Sequence, residues 1–170
     1  MPRTVDFRSS AFKIPNVESS GKFVGSTTYW KIYAIENLFR VIIHSVLSVQ
    51  IDSQWWTTAV HPRIQGQARR FRQDYLRRPW HTSPGSHDIY YTHLGDLNEI
   101  IRANSHLFLP LIPDVDRWIA LIEQLRLPRN IVGHMNYPNR VDQKRVDVLH
   151  SDTRALIGHL EGTGLTLQIP

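Results

Sequence analysis

Arg129, Asn130 and His134 place a guanidinium, a carboxamide and an imidazole in one short run, Leu127-Pro128-Arg129-Asn130-Ile131-Val132-Gly133-His134-Met135-Asn136. The guanidinium stays charged and offers a planar fork of N–H donors that matches phosphate oxygens. The imidazole changes charge near neutral pH and can take or give a proton. A fixed positive charge and a proton carrier are what cleavage of a phosphodiester without a metal requires, so Arg129 and His134 are the candidate catalytic pair. On an ideal helix, residues five apart differ in direction by about 140° and in height by roughly 7.5 Å. The pair therefore needs an irregular turn after Pro128, a swing of the Arg side chain, or a second copy of the segment across a dimer axis. Asn130 and His134 are four apart and share a face, which lets the carboxamide hold the ring and fix its tautomer. Gly133 leaves room beside the imidazole for a bulky substrate. The competing reading makes Arg129 a cap on the preceding helix and His134 an ordinary interface histidine.

Composition narrows the class. A chain of 170 residues with 41% hydrophobic residues and five Trp is long and apolar enough for one domain with one core. The formal charge of +5 rests mostly on Arg and is compatible with an anionic partner such as RNA. No cysteine is present, which excludes disulfides, thiolate nucleophiles and cysteine-based metal sites. His81, His87 and His93 have no ligand spacing that defines a metal site, so neither a metal nor another cofactor is expected. No uninterrupted apolar run reaches roughly 18 residues and Met1-Pro2-Arg3-Thr4 opens no signal-type segment, so the expectation is a cytoplasmic protein without a membrane span.

The elements that must position the pair read as all-α. Residues 1–27 mix Pro, Ser, Gly and charges and predict an irregular N-terminal arm. A long helix follows from about Thr28 to Ile51, uninterrupted by Gly or Pro. Its polar residues Glu36, Arg40, His44 and Ser48 recur every four positions and form one stripe. That stripe is either a solvated face carrying an i,i+4 ion pair or the lining of a polar groove beside Arg129 and His134. Between Gln54 and Arg78, Trp55-Trp56 reads as an anchor and Pro62 as a helix start. The Arg-rich helix after it offers Arg69, Arg70 and Arg72 as RNA contacts, or is simply a solvated face. A loop over Pro79–Tyr91, pinned at both ends by Trp80, Tyr90 and Tyr91, leads to a helix from Leu94 to Leu107 with Thr92 as its cap. Asp114 caps a further helix that ends at Leu125, with Pro128 opening the next turn. Arg140 to Leu160 forms the last helix. Residues 163–170 are a tail in which Leu165 to Ile169 make a short strand or dock. One helical domain over residues 28–162 results, an antiparallel bundle of four to five helices. Its aromatic surplus suits a homodimer.

The run Arg129-Asn130-Ile131-Val132-Gly133-His134 resembles the signature of the HEPN superfamily of small helical ribonuclease domains: Arg, a polar residue, three variable residues, His. The upstream layout is similar too, with Ile35-Glu36-Asn37-Leu38-Phe39-Arg40 in a long first helix and Tyr90-Tyr91-Thr92-His93-Leu94-Gly95-Asp96-Leu97 before the signature. The likeness covers roughly Tyr29 to Leu160. It implies a dimer with both signatures in one cleft, metal-independent RNA cleavage leaving a 2′,3′-cyclic phosphate, and service in toxin or antiviral defence systems. It also implies an antitoxin or a neighbouring defence protein as a partner. Carried over, Arg129 and His134 are catalytic, Asn130 positions them, and Glu36 and Arg40 support. The alternative within the same family is a non-catalytic dimer that serves as a protein-interaction or nucleotide-binding module.

Overall fold

A computed structural model of the chain describes residues 6–170, and the described residues are helical with no strand. The all-α class therefore holds, with more helical segments than four or five. In chain order they are α1 (Ile14–Val24), α2 (Trp30–Gln50), α3 (Trp55–Ala59), α4 (Pro62–Leu76), α5 (Leu94–Ala103), α6 (Ser105–Phe108), α7 (Val115–Gly133) and α8 (Arg140–Gly162). A π-helical turn, Gly25–Tyr29, joins α1 to α2, and a 3₁₀ turn, Asp88–Tyr91, precedes α5.

Four helices make the core. α2 packs between α8 and α5, and α7 closes the ring by packing on both. α2 supplies the centre with Ile35, Phe39, Ile42, Ile43, Val46 and Leu47, all of them buried. By length and hydropathy the continuous helix Ile14–Gln50 is apolar enough to cross a membrane, but 56% of its most apolar window is buried inside the molecule. Its apolar residues are largely used by the core. The tail docks without forming a strand: Leu165 is buried, and the Gln168 N–H donates to Ser45 Oγ at 2.8 Å.

Three expectations are corrected. From Ile14 onward the arm is helical and continuous with α2; Met1 to Val5 lie outside the described residues. Tertiary contacts hold the arm there. The Phe23 ring stacks on Tyr137 at 5.9 Å, and the Phe7 N–H donates to Ser20 Oγ at 3.2 Å. The hydroxyls of Ser26 and Thr27 both donate to the Phe23 carbonyl, which accounts for a wider turn at that point. The second correction is Pro128, which lies inside α7 rather than between two helices. Leu125, Pro128 and Val132 are buried on one stripe of α7, so packing along its length overrides the local helix-breaking tendency of proline. The third concerns the loop before α5. Trp80 is 75% exposed and pins nothing. The anchoring is at Gly85, where an added Cβ would stand 2.3 Å from the Tyr90 ring and whose carbonyl accepts from the Tyr91 hydroxyl at 3.0 Å. His93, not Thr92, caps α5, through a capping box with Asp96.

His44 leaves the polar stripe to join an aromatic cluster. Its Nδ1 accepts from the Trp55 indole N–H at 3.2 Å, and the His87 ring stacks on Trp55 at 5.2 Å. Burial lowers the pKa of both imidazoles, and for His87 the neighbouring His44 adds to the effect. The folded state thus favours neutral rings, while the unfolded chain protonates near pH 6.5. Stability is fully present above that pH and is lost as pH falls through it. Melting temperature is expected to drop by several degrees between pH 7.5 and pH 5 and to drop less in His87→Gln, as thermal melts followed by circular dichroism will read.

Candidate active-site groove

One turn of α2 carries a carboxylate, Glu36, and one turn later a guanidinium, Arg40. Both belong to the buried set, at 9% and 8% exposure, which decides between the two readings of the stripe: here it lines a groove. Arg40 Nη2 donates to Glu36 Oε1 at 2.7 Å and to the Thr92 carbonyl at 3.2 Å. Its Nη1 reaches Asn37 Oδ1 at 3.1 Å, and its Nε reaches the Ile89 carbonyl at 3.4 Å. With its donors committed in this way, Arg40 is a structural cation that ties α2 to the 3₁₀ turn. Burial of so polar a group is tolerated because its charge and hydrogen bonds are matched.

The second oxygen of Glu36 faces α7. Arg129 Nε donates to Glu36 Oε2 at 3.4 Å, across 93 positions of sequence. Among the described residues no hydrogen bond joins the two Nη groups of Arg129 to a partner. The nearest atom to a Cβ placed on Gly133 would be Arg129 Nη1, at 3.6 Å, so the absent side chain leaves the guanidinium uncovered. The groove has a volume of about 530 Å³, and Glu36, Asn37, Arg40, Arg129 and Gly133 supply much of its polar wall. Counting one negative and two positive side chains, it carries one net positive charge, which suits a phosphate diester. Tyr29, Ile32, Tyr33, Pro84, Tyr90, Val132 and Met135 form the remaining, mainly apolar sides.

His134 is the C-cap of α7, exposed and outside the groove wall. Because α7 continues as a helix through Pro128, the irregular turn that could have brought His134 to Arg129 does not exist. One chain therefore brings Glu36, Arg40 and Arg129 together and leaves His134 beside them. Asn130 touches His134 through the backbone, its carbonyl accepting the His134 N–H at 2.9 Å; no side-chain bond joins the two among the described residues. On α4, Arg72 is paired with Asp88 at 2.7 Å, whereas Arg69 and Arg70 are exposed; none of the three lines the groove. Among the described residues no group of three or more His, Asp or Glu side chains is arranged to hold a metal ion.

The chain matches no family model, no curated protein and no solved structure. The groove is thus interpreted from its own geometry.

Met135 stands out only in the structure. The Met135 N–H bonds the Val132 carbonyl and the Asn136 N–H bonds the Ile131 carbonyl, both at 2.9 Å, the two reverse bonds of a Schellman ending. That ending needs a left-handed residue at its centre, and Met135 has φ 59° where glycine is usual. Its side chain is 85% exposed at the mouth of the groove. The left-handed conformation costs a methionine about 1 kcal/mol that glycine does not incur. Met135→Gly is expected to stabilise the fold by about 1 kcal/mol in denaturant titrations. Arg40→Met, by leaving Glu36 buried with a single, longer ion pair, is expected to destabilise it by about 3 kcal/mol in the same measurement.

Proposed function

We propose that this chain is a subunit of a metal-independent endoribonuclease of the HEPN type, acting as a homodimer. The observation that carries the reading is the ion triad: Glu36 holds Arg129, the first residue of the Arg129–His134 run, at the groove, and among the described residues no hydrogen bond joins its Nη groups to a partner. In this reading Arg129 neutralises the scissile phosphate and His134 moves the proton, taking it from the 2′-hydroxyl or giving it to the departing 5′-oxygen. The 2′-oxygen attacks phosphorus as the bond to the 5′-oxygen breaks, leaving a 2′,3′-cyclic phosphate. Asn130 keeps a positioning role through the backbone turn it shares with His134.

A second subunit completes the cleft in this account, since one chain sets Arg129 and His134 on different sides of α7. Exposed Tyr33 and Met135 in the groove wall support such pairing. RNA is the partner that fits a groove with excess positive charge, and Arg69 and Arg70 extend that charge on a separate helix. Service in toxin or antiviral defence, with an antitoxin or neighbouring defence protein as partner, is what the family resemblance implies, and a cytoplasmic location is part of the same proposal.

Wild type, Arg129→Ala and His134→Ala are to be incubated with RNA in excess EDTA. Each substitution is expected to slow cleavage by at least about 100-fold, with the double variant little worse than either. Cleavage unchanged in both single variants removes the pair from the mechanism, and intact RNA with wild type favours the non-catalytic module.

A further inference from the structure

A second cavity, of about 230 Å³, opens beside the groove and is built largely by the N-terminal helix that the sequence left as an irregular arm. Tyr29, Val132 and Met135 are walls of both spaces, so the two are neighbours that share a partition. The smaller space is below the roughly 300–1,000 Å³ that encloses a whole small-molecule ligand. It is the size of a subsite. Its lining is mostly apolar, with the rings of Phe7, Tyr29 and Tyr137 and a polar edge that includes Asn136. Flat aromatic walls with a few hydrogen-bonding groups at the edge are what a nucleobase takes, stacking on rings while its edge is read.

Two features of the backbone aim at this partition. The π turn Gly25–Tyr29 brings Gly25 and Tyr29 to the cavity wall, and the strained Met135 stands between cavity and groove. We infer that the cavity receives one base of the RNA whose phosphate lies at Arg129, with Tyr29 and Met135 clasping the nucleotide where base and phosphate part. The inference rests on the reading of the groove as a phosphate site. It gives that site a reason to prefer particular bases next to the cut.

Gly21 offers a direct test. It lines the cavity on α1, and a Cβ there would meet nothing within 4 Å, so Gly21→Leu fills the space without a backbone clash while raising helix propensity. The full-length protein is titrated calorimetrically with inorganic phosphate and with each of the four nucleoside 3′-monophosphates. At least one nucleotide is expected to bind roughly tenfold or more tighter than phosphate, since stacking of one base supplies that much. In Gly21→Leu this advantage falls to about twofold or less, with phosphate affinity unchanged and the melting temperature no lower than wild type. Tyr29→Ala, which removes a half-exposed ring, is the second variant and is expected to lose the advantage too. The inference is overturned if no nucleotide binds more tightly than phosphate, or if both variants keep the full advantage. It is also overturned if Gly21→Leu changes only the oligomeric state, which would assign the cavity to a second protein copy. RNA cleavage in EDTA is read on the same preparations. Cleavage with no base advantage leaves the nuclease standing without the pocket, and a base advantage lost in Gly21→Leu without cleavage supports the pocket alone.

Discussion

Glu36 sits between two guanidinium groups, and much of the groove depends on that one carboxylate. Arg40, one helical turn away, makes four hydrogen bonds, to Glu36, Asn37 and two backbone carbonyls. Arg129, from a helix far along the chain, takes the other oxygen. Without its partners the carboxylate would be a buried, uncompensated charge, and two arginines without it would repel each other. Together the three leave one surplus positive charge facing open space. The triad also fastens α2, the 3₁₀ turn and α7 at a common point, so the charge arrangement and the packing of the bundle support each other.

The end of α7 determines what faces that charge. Pro128 does not interrupt the helix because its ring is part of the buried stripe, and Arg129 therefore projects from a regular turn onto Glu36. The helix stops only at His134, in an ending whose central left-handed position is occupied by Met135 in place of glycine. This places the imidazole at an exposed cap and the thioether at the mouth of the groove. A single chain thus presents the cation and the proton carrier as neighbours that do not converge. In the proposed reading, pairing of two chains brings both to one phosphate.

The long helices are legible because their apolar residues recur at helical spacing: α4, α8 and the end of α2 fall within a few residues of where the periodicity and the prolines place them. The polar stripe on α2 was legible as a stripe but not as a groove, since periodicity says which residues share a face and nothing about what covers it. The arm looks irregular in sequence because its helix depends on Phe23 meeting Tyr137 and on hydroxyls reaching the Phe23 carbonyl, contacts that no local rule contains. Pro128 misled for the opposite reason. There a strong local rule gave way to burial along α7. Arg129 was found from its residue type and spacing; its partner Glu36 was named only as a supporting group, and Met135 carried no signal, because a left-handed methionine looks like any other in sequence.

These features combine into an account in which a fixed cation stabilises phosphate charge while the RNA supplies its own nucleophile. The chemistry at the broken ends distinguishes this from attack by water. Mass spectrometry of the fragments produced from a defined RNA in excess EDTA reads it directly. The account predicts a 2′,3′-cyclic phosphate on one fragment and a 5′-hydroxyl on the other, and fragments ending in a 3′-hydroxyl and a 5′-phosphate, or RNA left uncut, would contradict it.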